Sequence, residues 1–133
     1  MNLVVDANIL FSALIKDNLT ARLLFDERFT FYTPEYILEE FARHEKDILE
    51  KTHRSKPDFI EIMKILKELI IVFPKEYYRE FMAEAEKICP DKDDTMYFAL
   101  AIKLKCGIWS NDKKLKEQEK VRVYSTQEIL LIA

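Results

Sequence analysis

The chain has 133 residues, of which 49% are apolar, with nine Phe and six Tyr, so it suits one packed domain over residues 1–133 and excludes disorder. One Gly and four Pro argue against a glycine-rich phosphate loop and against a turn-rich all-β fold. A net charge of −3 gives no global pull toward polyanions, so any nucleic acid must be met through local lysines or bound cations.

Leu3-Val4-Val5 is a short apolar run suited to a strand covered on both faces, and Asp6 ends it. Asn8 to Lys16 reads as a short helix, and Asn18 or Thr20 caps a second one running through Phe25. Phe29 to Tyr32 is a strand. Thr33-Pro34 is a helix start, with Thr33 as cap, and the helix runs from Glu35 to about Lys51. Ile37, Phe41, Ile48, Leu38, Ala42 and Leu49 form its expected buried stripe. Ser55 to Asp58 is a capping box opening a helix through Leu69, and the two helices make an antiparallel hairpin joined near Thr52 to Arg54.

Leu69 to Phe73 is a strand stopped by Pro74. Tyr77 to Ile88 is helical. Pro90-Asp91 ends that helix and starts another, apolar on nearly all sides from Met96 to Leu104 and closed by Gly107. Ile108 to Ser110 and Val121 to Tyr124 are the last strands, and Ser125 to Glu128 is a capping box for a terminal helix. Strands alternating with helices predict an α/β fold, a mostly parallel sheet with helices on both faces. Cys89 and Cys106 match no zinc spacing and read as buried thiols in a reducing compartment. The start lacks a signal-peptide pattern and no run is long enough to span a bilayer, so a soluble, cytoplasmic protein with no membrane partner is expected.

Four places put carboxylates at the carboxyl end of a strand or on a neighbouring helix: Asp6, Glu39-Glu40, Asp91 to Asp94, and Asp112. Each has an ordinary structural role open to it. Asp6 can end a strand, Asp91 and Asp112 can cap helices, and only one of Glu39 and Glu40 can face a cleft. Gathered together they would repel one another unless cations neutralise them, and all-oxygen donors favour Mg²⁺ or Mn²⁺ over zinc. His44 and His53 read as ordinary polar residues of the hairpin. Tyr36, Tyr97 and Trp109 are candidates for stacking on bases, the last two more suited to the core. Arg43, Lys46, Lys92, Lys113 and Lys114 are candidates for contacts to a substrate backbone.

Four short motifs in this order resemble the PIN-domain nucleases over essentially the whole chain. They are Val4-Val5-Asp6-Ala7-Asn8, Pro34 to Phe41, Asp91-Lys92-Asp93-Asp94 with Ala99 and Ala101, and Trp109-Ser110-Asn111-Asp112. The resemblance implies a three-layer α/β/α sandwich with a mostly parallel sheet of about five strands. It implies Asp6, Glu40, Asp94 and Asp112 as catalytic residues and metal ligands, with Asp91 as an additional acid. Asn8 would brace the first carboxylate and Ser110 would orient a ligand or water. Asn111 departs from the family's toxins, where Gly often stands. The implied activity is a Mg²⁺- or Mn²⁺-dependent endoribonuclease acting on single-stranded RNA, as the toxin of a toxin–antitoxin pair or as a housekeeping nuclease. An antitoxin docking on the 35–70 hairpin, and a homodimer, are the implied partners. The alternative is a catalytically inactive RNA-binding or scaffold protein. A phosphoaspartyl enzyme is disfavoured, because Asn8 stands where a second Asp or a Thr is needed.

Overall fold

A computed structural model describes residues 1–15 and 18–133. The predicted ends of the first two helices at Lys16 and Asn18 fall at or beside the undescribed positions. The chain order is β1 (Asn2–Val5), α1 (Ala7–Leu14), α2 (Asn18–Leu24), β2 (Thr30–Pro34), α3 (Tyr36–Arg43), α4 (Glu45–Thr52) and α5 (Lys56–Leu69). It continues with β3 (Ile70–Phe73), α6 (Lys75–Tyr78), α7 (Met82–Ile88), α8 (Thr95–Leu104), β4 (Gly107–Trp109), β5 (Val123–Tyr124) and α9 (Thr126–Ile132). Short 3-10 turns cover Arg79–Phe81, Lys92–Asp94 and Lys113–Lys116.

The five strands form one sheet, all parallel, in the order β3-β2-β1-β4-β5. Helices flank it in a three-layer α/β/α sandwich, the fold class expected. β1 is the central strand because Leu3, Val4 and Val5 are fully buried and offer no polar face to water. The chain builds outward from β1 to β2 and β3, then crosses back to β4 and β5. That reversal places a topological switch point between β1 and β4, where an open α/β sheet leaves a crevice at its carboxyl edge. α8 packs on β1, β2 and β4 and buries Tyr97, Phe98, Ala99, Leu100 and Ala101, which explains its apolar circumference.

Several local expectations are corrected. Thr33 does not cap a helix. It lies in β2, where its Oγ1 donates to Val5 O at 3.1 Å and ties β2 to β1. The helix from Glu35 to Lys51 is two helices, broken at His44 (φ −104°, ψ 20°), and Ala42 is exposed rather than part of the stripe. Residues 77–88 divide into α6, a 3-10 turn and α7. α8 ends on Lys105, in the left-handed region at φ 55°, and not on Gly107. Gly107 instead opens β4, where a Cβ would lie 2.7 Å from Tyr124 Cε2 and 2.9 Å from Arg122 O. Glycine is there for close approach, not for a helix end. Both cysteines are free and only half-buried. Both capping serines work: Ser55 accepts from Asp58 N at 3.3 Å, and Ser125 with Glu128 makes the reciprocal box.

Candidate active site

Asp6 stands one residue past β1 and is 3% exposed. Its Oδ1 accepts the Ile9 amide at 3.0 Å, so the carboxylate caps α1. Burial raises its pKa, and nearby Asp112 pushes in the same direction. Hydrogen bonds from Ser110 and from the amides of Ile9 and Asn8 pull the other way. Asn8 therefore meets Asp6 through its backbone, while its side chain is exposed.

Ser110 follows β4 and is 1% exposed. Its hydroxyl donates to the Asp6 carboxylate and accepts the Asp112 amide at 3.1 Å. One side chain thus fixes the two strand-end segments relative to each other. Asp112 in turn accepts Lys114 N at 3.0 Å and caps the 3-10 turn that follows.

Asp94 sits at the start of α8 without making a side-chain cap. Its pKa is raised from 3.8 to about 6, first by burial and then by the charges of Asp91, Asp6, Asp112 and Asp93. Those causes show that the acids arriving from β1, β4 and α8 share one neighbourhood at the switch point. Asp91 helps shape it: its Oδ1 accepts Asp93 N at 3.0 Å, and its carbonyl accepts the Cys89 thiol at 2.8 Å.

Glu40 does not join this group. Its carboxylate takes the Tyr36 hydroxyl, which holds its pKa below the usual range. Arg43 and His44 add to this at 2.9 Å and 3.5 Å. It lies on the wall of a cleft of about 710 Å³, shared with Tyr36, His44, Lys51, Lys92, Asp93 and Tyr97. Glu39 is exposed on the other side of α3, beside Lys75 and Glu76. Among the described residues, no group of three or more His, Cys, Asp or Glu is drawn together tightly enough to hold a metal ion. Asp6, Asp94 and Asp112 are electrostatic neighbours without closing on a point.

Of the candidate cations, Lys92 lines the cleft, Arg43 is paired to Glu40, and Lys113 and Lys114 open the turn that Asp112 caps. Lys46 is exposed on α4 and does not line the cleft. Lys51 lines it and was not singled out from the sequence. Trp109 is fully buried, with its Nε1 donating to Thr126 Oγ1 at 3.0 Å, and so is unavailable for stacking. Tyr97 is buried, yet its hydroxyl accepts the Ala7 amide at 3.2 Å, directly behind Asp6. Its apolar surroundings on α8 hid that role. Asn111 bridges to α9, donating to Thr126 Oγ1 at 2.9 Å and accepting Thr126 N at 2.8 Å.

Fold and site together define an α/β protein with an acidic crevice at the carboxyl edge of a parallel sheet. The chain belongs to the PIN domain family, whose model matches residues 4–130. The fold is similar to that of a chain in the crystal structure of VapBC2 from Rickettsia felis bound to a DNA fragment from their promoter. The TM-score is 0.67 at 17% identity, covering 94% of this chain and 98% of that one. No curated protein sequence gives a match. Among the described residues, no helix is long and apolar enough to cross a membrane.

Proposed function

We propose that this chain is a Mg²⁺- or Mn²⁺-dependent endoribonuclease that hydrolyses phosphodiester bonds in single-stranded RNA in the cytoplasm. The observation that carries the reading is Asp94. A half-buried carboxylate pushed up to about 6, first by burial and then by four neighbouring aspartates, suits a cation that relieves the repulsion. The donors are all hard oxygens, which fits Mg²⁺ or Mn²⁺. Asp6, Asp94 and Asp112 would hold the ion, with Asp91 behind them and Glu40 joining once freed from Arg43 and His44. When bound, such an ion supplies Lewis acidity toward a water and toward the phosphodiester oxygens.

The chain's own groups do the rest. Ser110 keeps Asp6 and Asp112 in register. Tyr97 and Asp6 together satisfy the first turn of α1 and so fix the first acid. Lys92 and Lys51 at the cleft, with Lys113 and Lys114 beside Asp112, attract the substrate backbone, and Arg43 serves once released from Glu40. Tyr36, 42% exposed on the cleft wall, offers a ring to a base.

The fold's likeness to a chain of VapBC2 supports a toxin role with an antitoxin protein as partner, and the resemblance to the family adds a homodimer to the proposal. The competing reading is an RNA-binding protein without catalysis, and one observation favours it: Glu40 is occupied by Arg43 and His44. The deciding experiment is cleavage of a labelled single-stranded RNA in Mn²⁺, Mg²⁺ or EDTA by the parent, Asp6→Asn and Asp94→Asn. Cutting that needs the cation and is lost in both variants is expected. Cutting that survives both would sink the site assignment. No cutting by a parent that still binds RNA would favour the competing reading.

A further inference from the structure

A second cavity of about 620 Å³ lies at the opposite end of the strands from the acidic crevice. Gly107, the first residue of β4, and Asn2, the first of β1, are on its floor, and the segment entering β5 forms one wall. Lys105, Lys120 and Arg122 line it, with Glu84 as the one carboxylate. Among the described residues, no carboxylate lies within ion-pair distance of any of these three cations. Among the described lysines, Lys103 and Lys116 are ion-paired, to Glu80 and Glu128, and the rest have no carboxylate within ion-pair distance. What sets Lys105, Lys120 and Arg122 apart is not the lack of an ion pair but that all three line one concavity.

The cavity is built, not incidental. The Tyr124 ring lies so close to Gly107 that any Cβ there would clash, and the Arg122 guanidinium sits 5.0 Å from the ring centroid. The arginine is thereby held against one surface, with its other face free. Lys105 stands at φ 55°, where an L side chain costs about 1 kcal/mol and glycine is usual. The helix end would be satisfied with glycine too, since the bonds involved are from backbone: Lys105 N to Ile102 O and Cys106 N to Ala101 O. Two terms oppose an anion here: Glu84, and the carboxyl end of α8 with about half a negative charge. Three full cations outweigh them.

We propose that this cavity binds the phosphate of a nucleotide or of a nucleic-acid strand, as a site separate from the acidic crevice. A phosphate accepts from several directions at once, which suits three cations lining one cavity. The free face of a pinned guanidinium is a platform for a base. The volume is in the range of small-ligand pockets. β1 alone holds the two sites about 13 Å apart at roughly 3.3 Å per residue, so one phosphate cannot serve both.

The test is calorimetric titration of the full chain in EDTA with inorganic phosphate, adenosine monophosphate and a short single-stranded RNA. EDTA keeps the result independent of cleavage, so failure here leaves the nuclease reading standing. The parent is expected to bind, and Lys105→Gly and Arg122→Ala are each expected to weaken binding by about tenfold or more. Lys105→Gly also relieves the left-handed strain, so its melting temperature should not fall. Lys64→Ala, on the exposed side of α5, should bind as the parent does. Binding of RNA much tighter than of the mononucleotide assigns the site to a strand, and equal binding assigns it to a nucleotide. No binding of any probe at millimolar concentration, or unchanged binding in both variants, would overturn the proposal.

Discussion

Asp94→Asn should stabilise the cation-free protein. The folded pKa of Asp94 is raised from 3.8 to about 6, so the folded state holds the proton more tightly than the unfolded chain does. Stability from this group is therefore full below pH 4 and is lost as pH rises through 6. At face value the penalty at pH 7 is about 3 kcal/mol, at 1.36 kcal/mol per unit. Asp94 is only half-buried, and solvent screening reduces that to roughly 1–2 kcal/mol. Against it stands the favourable placement of a carboxylate at the start of α8, worth about 0.3–1 kcal/mol. The net gain for Asp94→Asn in EDTA at pH 7 is about 1 kcal/mol, or roughly 4 °C in melting temperature. The gain should vanish near pH 4. Saturating Mn²⁺ should reverse the order, because the parent binds the ion and gains about 2–3 kcal/mol at a hundred times its Kd. Thermal melts across pH 4–7, with and without Mn²⁺, read all three. If Asp94→Asn melts below the parent in EDTA at pH 7, its carboxylate is making favourable native contacts. Burial and the charges of Asp91, Asp6, Asp112 and Asp93 would then not be the forces that dominate at Asp94.

Asp6→Asn keeps an oxygen for the Ile9 amide, so urea unfolding should shift by less than about 1 kcal/mol, while RNA cleavage falls about 10²-fold or more. Tyr97→Phe leaves the Ala7 amide unpartnered and should cost about 1–3 kcal/mol in the same urea assay. Gly107→Ala forces a Cβ against Tyr124 and the Arg122 carbonyl and should cost about 1–3 kcal/mol, read as a lower urea midpoint. Asn111→Gly removes both bonds to Thr126 and should lower stability by about 1–2 kcal/mol. An unchanged midpoint would mean that Trp109, Ile129 and the capping box anchor α9 without help from Asn111.

The strands were legible because each is a run of apolar or β-branched residues with a stop beside it. The break at His44 was not. Phe41 and Ile48 are seven apart, a spacing that an unbroken helix and two helices packed end to end both satisfy. No Gly or Pro marks the break. Thr33-Pro34 carried a true helix signal, but the Thr33 hydroxyl found a partner in Val5 O, which only the folded sheet supplies. The positions of Asp6 and Asp112, which follow β1 and β4, and of Asp94 at the start of α8 were readable because strand ends and helix starts are marked in the sequence. The ties of Glu40 to Tyr36, Arg43 and His44 follow from i+3 and i+4 neighbours on one helix face, and were open to inspection. The hydroxyl of Tyr97 was not, since nothing local distinguishes a buried tyrosine that meets an amide 90 residues away.

Asp6 is both an acid of the crevice and the cap of α1, and this narrows how the crevice can decay. Alanine there would remove the acid and open the first turn of α1 in one step. Asparagine would remove only the charge. It also lies a single nucleotide from either aspartate codon. A lineage released from the need for the acid therefore has an accessible exit that keeps the fold intact. In a collection of random variants selected only for folding, position 6 should fill with asparagine and serine before it admits any apolar residue.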